Sequence, residues 1–281
     1  RMITQLIATS AAVEIAERRG TYPGAGVYAG RPHAVMQRAF IALKTSNMLA
    51  FLTGFVEPVL FLLAFGYGLG GLVGGVDAQG QDLSYAAFIA PALLASSAMN
   101  GAIFDSTYNV YFKMHYGRTY QGMLSTSLGP LDVALGEIGW AMLRGATYAV
   151  GFMSVTAVFG LVPTWWALLT IPAAVLIAFA FSAIGMACTS YMTSFQQLNW
   201  LNFWLLPMFL FSGTFFPISS YPGWLQPVIE ITPLAQAIEM VRSIWFGQFD
   251  LGLAVNALYF VALSVVGAAL TTRRLTALFL R

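Results

Sequence analysis

Residues 165–191 read WWALLTIPAAVLIAFAFSAIGMACTSY, without one Asp, Glu, Lys or Arg. A helix needs about 20 apolar residues to cross roughly 30 Å of hydrocarbon, and this run is longer. In lipid only helices and closed barrels satisfy their own backbone. The run is continuous where a barrel strand would alternate, so it reads as a helix. Five further apolar runs accompany it, at 48–70, 85–111, 133–162, 198–215 and 251–272. Hydrophobic residues make up 58% of the chain and charged ones 9%, which would leave a soluble domain with too much apolar surface. The expected fold class is all-α, a polytopic membrane protein with six transmembrane helices.

The basic residues orient the spans. Arg1, Arg18, Arg19, Arg31, Arg38 and Lys44 precede the first, Lys113 and Arg118 follow the second, and Arg273, Arg274 and Arg281 follow the last. Arg144 lies near the start of the third. The opposite connections carry Asp77, Asp82, Glu230, Glu239 and Asp250, with Arg242 the one exception. Lys and Arg accumulate on the cytoplasmic side, so both termini are expected there, in the inner membrane of a bacterium.

Two domains follow: a cytoplasmic N-terminal segment, 1–33, and a transmembrane domain, 34–281. The latter comprises an interfacial helix over 34–47, the spans within 48–272 and a cytoplasmic tail, 273–281. Met36, Phe40 and Leu43 recur at helical spacing opposite Arg38 and Thr45, which suits a helix lying along the interface. The Gly- and Pro-containing stretch 20–32 reads as a linker. Glu14 and Glu17 interrupt 2–19, so no cleavable signal peptide is expected there.

The motif scan excludes several chemistries. A formal charge of +2 with scattered basic residues gives no footprint for nucleic acid. One cysteine, Cys188, and two distant histidines, His33 and His115, offer neither a disulfide framework nor a metal site. Neither Lys44 nor Lys113 follows a glycine, so the chain holds no phosphate-binding loop. Gly66-Tyr-Gly-Leu-Gly-Gly71 matches GxGxxG but ends an apolar span, where small residues serve close helix packing. No nucleophile elbow or paired carboxylates suit an integral-membrane lipid-modifying enzyme.

The remaining polar groups lie in or beside apolar runs. Glu57, followed by Pro58, falls near the middle of the first span, where a carboxylate must be neutral, paired or facing a wet cavity. It is either a contact in the translocation path or a structural bond to a neighbouring helix. Glu137 and Arg144 are two turns apart on the third span, about 10 Å along the axis, too far to pair directly. Glu137 suits a helix start, and Arg144 could snorkel toward the cytoplasm. Asn100 and Asp105 are candidate partners inside the bundle. Glu239 and Arg242 could pair at i, i+3. The connection 112–132 is polar and cytoplasmic. The outer connection 216–250 is apolar but broken by Pro217, Pro222, Pro227 and Pro233, so short amphipathic or re-entrant helices are expected there.

These residues also carry a likeness. Phe211-Ser-Gly-Thr-Phe-Phe-Pro217, then Pro222, Pro233-Leu234, Arg242 and Gly247, resembles the signature of ABC-2 type permeases, the membrane subunits of ABC exporters. Glu57-Pro58 with Gly66-Tyr-Gly-Leu-Gly70, Phe88-Ile-Ala-Pro91, Ser97-Ala-Met99, Thr119-Tyr-Gln-Gly-Met-Leu-Ser-Thr126 and Gly136-Glu137 with Trp140-Ala141 resemble the nodulation protein J branch, exporters of lipo-oligosaccharide. The likeness runs from about residue 38 to the C-terminus.

It implies two permease subunits per transporter, a second copy or a sister permease completing the pair. It also implies two separate ATPase subunits that carry ATP and Mg, with no cofactor on this chain. The segment 116–128 would hold the coupling helix, with Tyr116, Arg118, Thr119, Tyr120, Met123 and Leu124 meeting the ATPase. The translocation path or gate would involve Glu57, Asn100, Trp200, Trp204, Phe209 and Phe211, and the outer segment Gly213, Pro217, Pro233, Glu239 and Arg242. The subunit interface would involve spans one and five. The substrate implied is an amphiphile, a lipid-linked saccharide first and a hydrophobic drug second, in contact with membrane lipids.

Overall fold

The computed structural model describes residues 30–45, 56–73, 75–78, 81–126 and 128–279. The leader 1–29, the first residues of the expected first span and the last two of the tail lie outside these. Helix α1, Pro32–Thr45, starts on a proline, whose missing N–H costs nothing at that position. Helix α2, Val56–Phe61, widens into a π-helical stretch, Leu62–Leu69, and finishes as Gly70–Val73. Strands β1, Gly75–Ala78, and β2, Gln81–Ser84, pair antiparallel. Helix α3 spans Tyr85–His115, with a π-helical turn at Asp105–Asn109. A short helix α4, Thr119–Leu124, precedes the long α5, Pro130–Val158. Helix α6 covers Trp165–Tyr191 and α7 Gln197–Phe211. Two short helices, α8 (Gln226–Glu230) and α9 (Pro233–Trp245), lead to α10, Leu251–Phe279.

Three of these, α3, α6 and α10, are long and apolar enough to cross a membrane. The core is made where α3, α5 and α6 cross. Phe88, Ile89, Leu93, Leu94, Met99, Phe152 and Ile177 are buried there. Glycine permits the close approach: a Cβ on Gly145 would stand 2.5 Å from Ala98 O and 2.8 Å from Ala178 Cβ. Helix α10 meets α6 in the same manner, with a Cβ on Gly267 only 2.6 Å from the Ala183 carbonyl carbon. Packing of this kind through small residues replaces the hydrophobic drive that is absent in lipid. Gly66 of the GxGxxG match behaves as expected, its would-be Cβ 3.1 Å from Ala86 Cβ, whereas Gly68 and Gly71 face open space.

Several expectations are corrected. The fifth run leaves the helix at Ser212, before residue 215, so α7 measures 15 residues, about 22 Å at 1.5 Å per residue. The sixth run continues well past 272, so Arg273 and Arg274 belong to α10. The strand pair β1–β2 was not anticipated, because a short polar connection carries little periodicity. Helix α1 is present, but its anchor is buried Val35 rather than Phe40, which stays half-exposed. Gly136 on α5 receives that anchor, its would-be Cβ 2.5 Å from Val35 Cβ.

Candidate functional site

At the end of the bundle rich in Lys and Arg, the chain turns from α3 into α4 and then α5. Gly129 and Pro130 open α5, and Asp132 caps it by accepting the backbone N–H of Gly129 at 3.0 Å. The other oxygen of the same carboxylate accepts the Arg31 N–H at 2.8 Å, tying the approach to α1 onto α5. Helix α4 is amphipathic, and its apolar side turns inward. Tyr120, Met123 and Leu124 are buried with Val35, Val110, Met114, Val133 and Ile138. These three, expected to meet an ATPase, pack into this chain's own bundle, since a short helix beside a bundle gains most by burying its large side chains in it.

The surface that α4 leaves open is formed by Tyr116, Arg118, Gln121, Gly122 and Ser125, with Thr119 half-buried. Arg118 adopts the left-handed conformation at φ 45°, which costs a side-chain-bearing residue about 1–2 kcal/mol. The Tyr120 hydroxyl is pushed well above its ordinary pKa by burial, then by the Glu137 and Asp105 carboxylates, with Arg38 opposing. It therefore stays protonated.

Above α4 the bundle holds two charge pairs between α3 and α5. Lys113 Nζ lies 2.6 Å from Glu137 Oε2, and Arg144 Nε lies 3.1 Å from Asp105 Oδ2. Asp105 also accepts a hydrogen bond from Asn109 Nδ2, and Arg144 sits over the Phe104 ring at 5.5 Å. Glu137 and Arg144 do not pair with each other, as their spacing required, but neither are they left to the helix dipole or to snorkelling. Each found its partner on α3, a pairing invisible until the helices are docked. Lys113, one of the basic residues that orient the spans, is also paired within this chain. Asp105 is the bundle-facing partner foreseen, while Asn100 is only half-buried.

Helix α7 is placed differently. Trp200, Phe203, Trp204, Leu206, Leu210 and Phe211 are exposed on it, Trp204 to 71%. Leu201, Leu205, Met208 and Phe209 reach the core cluster, and Asn202 Nδ2 donates to Tyr108 Oη at 2.6 Å. Trp200, Trp204 and Phe211 thus form an open face, whereas Phe209 joins an aromatic cluster with Phe61 and Phe215. Glu57 lies in the first turn of α2 and is exposed.

The opposite end is organised by the Phe211–Pro217 motif. Gly213 takes φ 81°, a left-handed turn that ends α7. Ser212 and Thr214 hydroxyls bond to each other at 2.8 Å, and Tyr85 Oη donates to Phe215 O at 3.1 Å. Arg242 on α9 secures this turn. It donates through Nη2 to Gly213 O at 3.2 Å and to Phe88 O at 3.5 Å, and its guanidinium stacks 4.4 Å above the Phe88 ring. Glu239, three residues before Arg242, is exposed, and the hydrogen bonds of the guanidinium run to α3 and the turn. Pro217 precedes a short 3-10 turn, Ile218–Ser220. Pro233 starts α9, where Thr232 Oγ1 accepts the Ala235 N–H at 3.4 Å as a cap.

Among the described residues no group of three or more His, Cys, Asp or Glu is placed to hold a metal. The arrangement offers buried charge pairs, an open short-helix face at the basic end and an uncovered aromatic helix.

Residues 33–246 match the ABC-2 type transporter family. Nodulation protein J of Rhizobium leguminosarum bv. viciae is 33% identical over 248 residues, covering 86% of this chain and 94% of that protein. Nodulation protein J of Neorhizobium galegae is 31% identical over 251 residues, with 86% and 93% covered. The inner membrane transport permease YadH of Escherichia coli (strain K12) is 23% identical over 207 residues, with 72% and 78% covered.

Proposed function

The chain belongs to the ABC-2 type transporter family, and from that premise we propose that it is the permease half of an ATP-driven exporter of amphiphiles. Members of this family are membrane components of ABC transporters that work with an ABC ATPase and are not themselves catalytic. The finer reading is six spans, formed by α2, α3, α5, α6, α7 and α10, with both termini in the cytoplasm of a bacterial inner membrane. Two copies, or this chain and a sister permease, pair through α2 and α7. Each engages one ATPase, which holds ATP and Mg, through Tyr116, Arg118, Gln121 and Ser125.

The observation that supports this best is the uncovered face of α7, with Trp200, Phe203, Trp204 and Phe211 open in the single chain. Broad aromatic faces of this kind anchor protein interfaces and also accept apolar or ring-shaped ligands. Each nucleotide state of the ATPases would favour a different membrane conformation, since a ligand shifts an equilibrium only by its differential affinity. The transported substrate is read as a lipid-linked saccharide or glycolipid, on the likeness to nodulation protein J. Efflux of a hydrophobic drug is the second reading, because the exposed α7 side chains quoted above carry no charge.

The test is reconstitution with the partner ATPase in lipid vesicles, following a fluorescent glycolipid and a fluorescent drug of similar size. ATP-dependent movement of the glycolipid is expected. Movement without nucleotide would mark a passive channel and refute the reading.

A further inference from the structure

Helix α3 departs from regularity inside its apolar length. The turn Asp105–Asn109 is π-helical and spells Asp-Ser-Thr-Tyr-Asn, a polar run between apolar neighbours. Such turns interrupt the α-helical hydrogen-bond ladder and are frequent at functional sites. In a membrane, freed carbonyls must be satisfied locally, and the sequence provides for it. Thr107 Oγ1 donates to Ile103 O at 2.6 Å and Ser106 Oγ donates to the same oxygen at 3.3 Å. The side chains of Ser106 and Thr107, inside the turn, pack against Gly185 on α6. A Cβ there would collide with Ser106 Oγ.

The turn is held on both sides. Asp105 at its start is 3.1 Å from Arg144. Beyond its end, Lys113 is 2.6 Å from Glu137, on the segment that runs into α4. From within the turn, Tyr108 Oη accepts the 2.6 Å hydrogen bond of Asn202 on α7.

We propose that the π-helical turn of α3 is the joint that carries movement of the α4 connection to α7, with Tyr108 the residue it positions. This rests on the reading that α4 faces an ATPase. A π turn holds one residue more than an α turn. Converting it to α-helix rotates everything beyond it by about 100° and shifts it by about 1.5 Å. The joint therefore has two discrete arrangements, which is what coupling between distant sites physically requires. Rotation carries Tyr108 away from Asn202 unless α7 follows, so α7 follows or releases.

The experiment uses the complex with its ATPase in nanodiscs, in a Cys188→Ser background, with spin labels replacing Gln121 on α4 and Phe203 on α7. The distance between labels is compared without nucleotide and with ATP under hydrolysis-blocked conditions. The parent is expected to show a nucleotide-dependent shift. Gly185→Ala, which crowds the Ser106 side chain inside the turn, is expected to abolish it, and Gly185→Ala with Ser106→Ala to restore it. Asn202→Leu is expected to lose the shift and at least tenfold of transport while ATP hydrolysis continues at the parent rate. If Gly185→Ala does not fold, Asn202→Leu decides alone. A complex that hydrolyses ATP and keeps the full shift in Asn202→Leu overturns the joint and leaves the transporter reading intact. A chain with no ATPase partner overturns both.

Discussion

Replacing Gly145 by alanine tests the core of this fold with a single methyl group. The added Cβ would stand 2.5 Å from Ala98 O, 2.8 Å from Ala178 Cβ and 3.2 Å from Ala102 N. Two of those three atoms are backbone of α3, and the third is the Cβ of an alanine on α6, so no flexible side chain can yield. Relief requires α3 and α5 to separate by the better part of an ångström along a crossing that also buries Gly101, whose own Cβ would lie 2.9 Å from Gly145 Cα. Overpacking of this kind costs about 1–3 kcal/mol, and the absence of a soft neighbour places Gly145→Ala at the upper end. At about 2–4 °C per kcal/mol, the thermal midpoint should fall by roughly 6–12 °C. The assay is thermal unfolding of the detergent-solubilised subunit, followed by tryptophan fluorescence. Gly122→Ala is the matched control, since nothing lies within 4 Å of its would-be Cβ. There the same change should stabilise by about 0.5–1 kcal/mol, through the lower entropy of alanine in a helix. A Gly145→Ala midpoint equal to the parent's would refute the close three-helix crossing.

Other perturbations address the charged and exposed groups. Lys113→Met leaves Glu137, only 2% exposed at its side chain, without its counter-charge and should cost about 3 kcal/mol. Lys113→Met with Glu137→Leu should recover most of that, as measured by the same thermal assay. Arg118→Gly relieves the left-handed backbone at φ 45° and should stabilise the isolated subunit by about 1 kcal/mol. In the assembled transporter it should weaken stimulation of the ATPase, read from hydrolysis rates with and without the permease. Arg242→Lys keeps the charge but loses the planar stack on Phe88 and the donor geometry to Gly213 O. A loss of about 1–2 kcal/mol is expected, with proteolysis at the 212–217 turn increasing first.

Much of the fold was legible because membrane helices advertise themselves by length and continuity. The runs at 165–191 and 85–111 needed no more than counting, and α3 and α6 occupy them. The candidate site was less legible, for reasons that can be named residue by residue. Tyr120 and Met123 sit in a polar connection, so their aromatic and thioether bulk suggested a partner's groove. The same bulk is satisfied by this chain's own core at Val35 and Val133. Glu137 and Arg144 are seven residues apart and invited a search along one helix, whereas their partners Lys113 and Asp105 come from another. A signal was available: α3 carries one opposite charge for each, in the order that an antiparallel neighbour requires. The π turn could have been suspected from Asp-Ser-Thr-Tyr-Asn, a run of hydrogen-bonding side chains inside an apolar helix. The exit of α7 at Ser212 was written in Gly213, the residue that tolerates the left-handed turn there.

The most direct measurement places one residue on one side of the membrane and next to one partner. Gln121→Cys, in a Cys188→Ser background, puts a single thiol on the open face of α4. In native membrane vesicles that thiol should react with an impermeant maleimide only when the cytoplasmic face is outermost. A short bifunctional reagent should then join it to an ATP-hydrolysing subunit. Labelling from the periplasmic side, or cross-linking to no such subunit while transport proceeds, would contradict the account of this chain as a permease driven by ATP hydrolysed on another protein.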